Sequence, residues 1–337
     1  MYTDGDATLL SYFQETAVLN MFHFQTLRSR GVRGHGRHIR KLTIDSDLAT
    51  QHRWRSALYT IWEGVVLPVI ESLELKPTVD PSDMPHITWC VTGPLSFLPI
   101  HAAGCYDNEP SQKLMDFAVS SYTPTLGALL AIKTPPSLPS SMLLVGQEAT
   151  LGQTPLPGTK DELDPIKKHI PESLKYTQLI DHHATTMSVL AALADHDWVH
   201  LACHAHQNTT HPTESGFFLH DATLDLAQIT QRSFRNKGLA FLSACQTAKG
   251  DDNLPDESVH LATGLLMAGY TSVIATMWSV SDSDAPVVAD IVYRHLLKDG
   301  HDHVEVSKAW HNAVKKLREK VGEIEFARWV PFIHIGV

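Results

Sequence analysis

Histidine and cysteine crowd two short stretches of this chain in an arrangement that could support nucleophilic chemistry. Residues 200 to 207 read HLACHAHQ, and residues 242 to 250 read LSACQTAKG. Each leaves an apolar run, and each sets a Cys among small residues. A thiolate forms far more readily than an alkoxide, and a nearby imidazole both favours it and later returns a proton to a leaving amine. Ser243, Ala244 and Gly250 around Cys245 leave room for a peptide backbone. The competing reading is that a Cys in an apolar strand is a small core residue. Cys203 fits that description: alternation along a strand groups it with Val199 and Leu201, while His200, Ala202 and His204 share the other face. Cys90 and Cys105 are expected in the core on the same ground.

Other chemistries find little support. His200, Cys203, His204 and His206 resemble a metal cluster in composition, but ligands so spaced on a strand point to opposite faces. No second cluster completes a four-ligand site, so no metal is implied. The triplet Asp181–His182–His183 is too short to mark a metallophosphoesterase in a chain with 21 histidines. The sequence has no GxSxG elbow, no P-loop and no GxGxxG. No organic cofactor is implied either.

The elements that must position these residues are legible from periodicity. Residues 7 to 75 are helical in pattern. Between 54 and 73, Trp54, Leu58, Ile61, Trp62, Val65, Val69 and Leu73 recur every three or four residues and define one face, with Pro68 as a kink or punctuation. HITWCVTGPLSFLPIHAAG (86 to 104) reads as strand, Gly-Pro turn and second strand-like segment. The Pro/Ser-rich KTPPSLPSS (133 to 141) marks an internal boundary. Beyond it, strands at 142–147, 175–180, 198–204, 239–245 and 272–278 alternate with helices at 159–170, 186–196, 258–270, 283–298 and 303–320. A short hairpin at 216–230 leads into a helix capped by Asp225 or Thr223, and WVPFIHIGV closes the chain as a strand. Such alternation predicts an α/β fold, a mostly parallel sheet with helices on both faces. In that architecture ligands gather at the carboxyl ends of the strands. His204 and Cys245 both fall there, and if their strands are neighbours an imidazole faces a thiol.

Bulk properties narrow the class. The 337 residues carry 43% apolar and 19% charged side chains, enough for two ordinary domains or one large α/β domain. A net charge of −10 argues against nucleic acid or an anionic membrane as partner. The basic stretch from Arg28 through Arg40 and Lys41 lacks an aromatic platform and reads as a solvated loop. Four cysteines without a CxxC pair suggest free thiols in a reducing cytoplasm. There is no apolar run near 18 residues and no secretory leader, so neither a membrane span nor export is expected.

Several segments in order resemble the CHAT domain family, caspase-like cysteine peptidases commonly joined to tetratricopeptide repeats. CVTGPLSFLPIHAAG and SSYTPTLGALL are similar to the family's early motifs, WVHLACHAHQ to its histidine motif, and LAFLSACQTAKG with its sequel to its cysteine motif. WVPFIHIG resembles the terminal strand, and MWSVSDSD is similar to a stretch of separase. The resemblance covers roughly residues 50 to 337. It implies a domain order of an N-terminal helical region (1–79), a pseudo-caspase portion (80–138) and a caspase-like catalytic portion (139–337).

The resemblance also implies roles. His204 matches the catalytic histidine and Cys245 the nucleophile, with the amides of Ala205 and Cys245 as oxyanion donors. The family commonly has Gly where Ala205 stands, so a positive φ there would strain this chain. Asp282 is the best match to an acidic residue at the floor of the S1 pocket, with Asp284 two residues on. Such a carboxylate would favour Arg or Lys at P1, although Asp282 or Ser281 could equally cap the following helix. The acidic loop Asp251, Asp252, Asp256 and Glu257 reads as solvated. The function so implied is a cysteine endopeptidase acting on a protein or peptide substrate, under a regulatory repeat region or activating partner. The alternative is a non-catalytic caspase-like interaction module.

Overall fold

The computed structural model describes residues 38–337, except 79, 82, 92–94, 97, 132–137, 151, 207, 209–210, 233, 235–236, 244, 247–256, 279 and 299–304, and gives backbone alone at 38–49, 131, 212, 245–246 and 257–260. The basic stretch at 28–37 and the loop at 251–256 lie outside the described residues, and of Arg40, Lys41 and Glu257 only the backbone is described.

Helix α1 (His38–Ile61) runs into a π-helical turn (Trp62–Val66) and continues as α2 (Leu67–Ser72). The turn moves the buried face. Trp54, Leu58, Ile61 and Trp62 face the core as their spacing predicts, but beyond the turn Val66 and Ile70 are buried, Val65 and Val69 are half-buried and Leu73 is 56% exposed. A π turn closes i→i+5 hydrogen bonds and so takes up one extra residue, which advances every later side chain by one position. Pro68 opens α2, where its missing N–H is tolerated.

The strands follow: β1 (His86–Trp89), a small antiparallel ladder of β2 (Gly104–Cys105) and β3 (Gln112–Lys113), and β4 (Val119–Tyr122). The second strand-like segment expected after the Gly-Pro turn, within 86–104, is instead 3-10 helical at Ile100–Ala102, where Pro99 has no N–H to offer a ladder. Next come α3 (Leu126–Ala131), β5 (Ser141–Gly146), α4 (Gly158–His169), β6 (Lys175–Ile180), α5 (Thr186–Asp195), β7 (Trp198–Ala202) and β8 (His204–His206). The hairpin β9 (Gly216–Phe218) and β10 (Thr223–Asp225) leads into α6 (Leu226–Thr230). Asp225 caps that helix, accepting from the Gln228 N–H while the Gln228 side chain accepts from the Asp225 N–H. The chain then forms β11 (Lys237–Leu242), β12 (Cys245–Gln246), α7 (Glu257–Ala268), β13 (Tyr270–Thr276), α8 (Ala285–Leu296), α9 (Val306–Val321), α10 (Phe326–Trp329) and β14 (Phe332–Gly336).

Eight strands build one sheet in the order β1-β4-β14-β13-β11-β7-β5-β6. β13, β11, β7, β5 and β6 are mutually parallel, as are β14, β4 and β1; the two blocks meet antiparallel at β13 and β14. The fold is therefore a mostly parallel α/β sheet, to which the stretch at 80–138 contributes two strands. Among the described residues no helix is long and apolar enough to cross a membrane.

A directed chain of hydrogen bonds locks the second block to the first. Ser272 Oγ donates to the Val337 carbonyl, so it accepts from His334 Nε2–H at 2.6 Å. His334 Nδ1 then accepts from Ser121 Oγ, and Ser121 accepts from His86 Nε2–H, each at 2.6 Å. Burial pushes His334 down to about 3. His101 is held likewise: Nε2–H donates to the Val330 carbonyl, Nδ1 accepts from the Tyr122 hydroxyl, and burial again pushes the imidazole down to about 3.

Candidate active site

The first block turns back on itself around β5. The chain passes from β5 to β6 on one side and from β6 to β7 on the other, so the switch in strand order, where open α/β sheets gather ligands, falls at the carboxyl ends of β5 and β7. β7 and β11 pair in parallel with Leu242 opposite Leu201, and the Ser243 N–H extends the ladder to the Leu201 carbonyl. Both strands then break. Past the break they re-pair as β8 and β12 within a separate four-stranded sheet, with Cys245 in register with His204 and Gln246 with Ala205. Positions in register on adjacent strands lie about 5 Å apart. Cys203 sits in the break between β7 and β8 and is fully buried, so the strand alternation drawn from 199 to 204 stops at Ala202, two residues before His204.

His204 is 1% exposed. Its Nε2 lies 2.7 Å from the Thr154 carbonyl, which can only accept, so Nε2 carries the proton. In the neutral ring Nδ1 is then a bare acceptor, and that buried atom has no hydrogen-bond partner among the described residues. A buried polar atom without a partner is costly unless something meets it. The arrangement can abstract a proton at Nδ1 while the Thr154 carbonyl steadies the charge gained.

Thr154 belongs to the loop between β5 and α4, and two glycines let that loop and helix sit close. A Cβ on Gly146 would come within 2.8 Å of Ile180 and Leu163, and one on Gly158 within 3.0 Å of the Asp282 carbonyl. On α4, Glu162 is buried, with 4% exposure. Its Oε2 accepts from Ser243 Oγ at 2.8 Å, and its Oε1 lies 3.1 Å from His200 Nε2, in contact but out of hydrogen-bond alignment. His200 Nδ1 meets the Tyr293 hydroxyl on α8 at 3.2 Å; burial and then the Glu162 charge push that phenol well above its ordinary range.

The other predicted residues divide. Ala205 is extended within β8 and does not have positive φ, so the strain feared there is absent. Asp282 is exposed and lies against Gly158. Asp284 is 1% exposed and engaged by Arg328, with Nε donating to Oδ2 at 2.9 Å and Nη2 donating to Oδ1 at 2.5 Å. It stands at the N-cap of α8 without a side-chain cap bond. The expectation of core positions for Cys90 and Cys105 is corrected: Cys90, just past the edge strand β1, is exposed, and Cys105, at the end of the short strand β2, is half-buried. No three His, Cys, Asp or Glu side chains among the described residues converge as a metal site.

Sequence reading missed Thr154 and Glu162. A backbone carbonyl leaves no mark in a sequence. Glu162 leaves one: it shares the inward face of α4 with Thr159, Leu163 and Ile166, a position where a carboxylate is out of place.

The sequence pattern of the CHAT domain matches residues 55–337, and the chain belongs to that family. Among solved structures it is similar to separase in the Saccharomyces cerevisiae separase–securin complex, with a TM-score of 0.53 and 14% identity, over 81% of this chain and 17% of that one. It also aligns with the complex of Porphyromonas gingivalis RgpB pro- and mature domains, at a TM-score of 0.49 and 11% identity, over 85% of this chain and 68% of that one. A third alignment is to the Arg-specific cysteine proteinase gingipain R, at 0.46 and 12%, over 65% and 54%. The chain thus spans about half of that proteinase and about a sixth of separase. Compared with curated proteins, the chain has no significant match. The fold is that of caspase-like cysteine peptidases.

Proposed function

We propose that this chain is a cysteine endopeptidase working through His204 and Cys245. The observation that carries the reading is the register of the two residues across β8 and β12, with His204 clamped at Nε2 and open at Nδ1. Cys245 sulfur attacks the scissile carbonyl carbon as Nδ1 takes the thiol proton. The oxyanion is met by the amides of Ala205 and Cys245. The C–N bond breaks as Nδ1–H passes the proton to the leaving amine. Water then attacks the thioester, giving its proton to Nδ1, and the acid departs as the thiol is restored. No metal or organic cofactor enters the scheme.

Asp282 is the specificity carboxylate of this reading, favouring Arg or Lys at P1 through a charge-assisted contact. The substrate is a protein or peptide, nucleic acid and membrane play no part, and the compartment is the cytoplasm. Control falls to an upstream repeat region or activating partner. Support for an upstream input comes from Trp54 of α1, which packs 5.7 Å from Trp278 and 6.0 Å from Phe326, at the start of the segment leading to Asp282.

The test is covalent labelling by an irreversible peptide probe with Arg at P1. Wild type should be labelled and Cys245→Ala should not. Equal labelling of both overturns the assignment, and labelling of neither favours a closed interaction module.

A further inference from the structure

Both site strands are interrupted just before their functional residues, at Cys203 and at Ser243. A backbone ladder therefore cannot alone carry the register of β7 and β11 forward to β8 and β12. One side chain touches both strands at that level. Glu162 accepts from Ser243, two residues ahead of Cys245, and its other oxygen lies against His200, four residues ahead of His204. The same helix follows the loop whose Thr154 carbonyl holds His204. A carboxylate buried to 4% among apolar neighbours is unfavourable without specific partners, and Leu163 and Ile166 show that apolar side chains pack on that face. What a carboxylate adds is an acceptor for Ser243 on one strand, with its second oxygen in contact with His200 on the other.

We infer that Glu162 is a positioning residue that aligns Cys245 with His204 through Ser243. The inference rests on the peptidase reading above. The hydrogen bond to Ser243 is the operative contact, so glutamine, which keeps an acceptor oxygen, should substitute for glutamate.

The test measures alkylation of Cys245 by iodoacetamide, site by site with mass spectrometry and across pH, alongside peptide hydrolysis. Proteins compared are wild type, Glu162→Ala, Glu162→Gln, Ser243→Ala and the double Glu162→Ala/Ser243→Ala. Exposed Cys90 serves as internal control. In Glu162→Ala and Ser243→Ala, Cys245 alkylation at neutral pH should slow by about tenfold, and its pH midpoint should move toward that of an ordinary thiol. The double variant should be no slower than the slower single, because both changes remove one contact. Glu162→Gln should stay within about twofold of wild type. Unchanged Cys245 alkylation in folded Ser243→Ala and Glu162→Ala overturns the inference, as does a Glu162→Gln as slow as Glu162→Ala. Should Glu162→Ala not fold, Ser243→Ala and Glu162→Gln decide alone. Wild type that fails to cleave, while the variants still alter alkylation, defeats the peptidase reading and leaves the alignment standing.

Discussion

His204 and His334 are both buried imidazoles, one in each half of the molecule, and they are built in opposite ways. His334 has both nitrogens committed, to Ser121 and Ser272, and ties three strands together. His204 has one nitrogen committed, to a carbonyl, and presents the other bare. An open nitrogen is not by itself a sign of chemistry, since His311 is buried on α9 with both nitrogens unpartnered among the described residues. What separates His204 is the combination of one clamped nitrogen, one open nitrogen and a thiol position in register beside it. The scaffold histidine spends its hydrogen bonds on shape, and the site histidine holds one back.

Exchanging the two residues' fates is the strongest way to break this contrast. His204→Ala should lower peptide turnover by about 10³-fold while leaving the denaturant midpoint nearly unchanged. His334→Ala should do the reverse, removing about 3 kcal/mol of stability by stranding Ser121 and Ser272, with turnover of the folded fraction retained. Equal effects on both quantities would erase the distinction.

A second contrast lies within one loop. Arg328→Ala leaves Asp284 buried and unpaired and should lower stability by about 3–5 kcal/mol in urea unfolding. Asp282→Asn, at an exposed position, should shift stability by less than about 0.5 kcal/mol yet reduce the preference for Arg over Ala at P1. If Asp284→Asn alone abolishes that preference in a stable protein, the assignment to Asp282 is wrong.

Acid separates scaffold from site more gently. Burial holds His101 and His334 down at about 3, and burial with the nearby Arg318 charge holds His311 at about 4. In the unfolded chain these rings titrate near 6.5. Below about 6.5 the unfolded state therefore binds more protons, and stability falls as pH drops toward the folded values. Above that range these residues add no pH dependence. Each should contribute about 1.4 kcal/mol per pH unit to the acid slope, and His334→Gln should make the slope between pH 6 and 4 shallower by one such increment. Cys203→Ala, away from the chemistry, should cost about 1 kcal/mol in stability with turnover within about twofold.

Much of this was readable in the residues themselves. Short apolar runs marked β5, β7, β11 and β13, and the helices between them differ from expectation by at most two residues at their ends. His204 and Cys245 stood out because parallel strands deliver their last residues to one edge. The breaks after β7 and β11 were not readable, since HLACHAH continues the pattern of a strand through the point where the backbone leaves the main sheet. Asp282 and Asp284 look equivalent in the sequence. Only the approach of Arg328, forty-four residues later, shows that Asp284 is held in a buried ion pair while Asp282 stays exposed.

The π turn at Trp62–Val66 changes how this chain tolerates shortening. It holds one residue more than an uninterrupted α-helix needs to join the Trp54–Trp62 face to the Val66–Ile70 face. Gly64 within it is exposed. A one-residue deletion in a packed helix ordinarily rotates everything downstream by about a quarter turn. Here, loss of Gly64 lets the segment close as plain α-helix with both faces still against the core, so the slack for an indel is already wound into the fold.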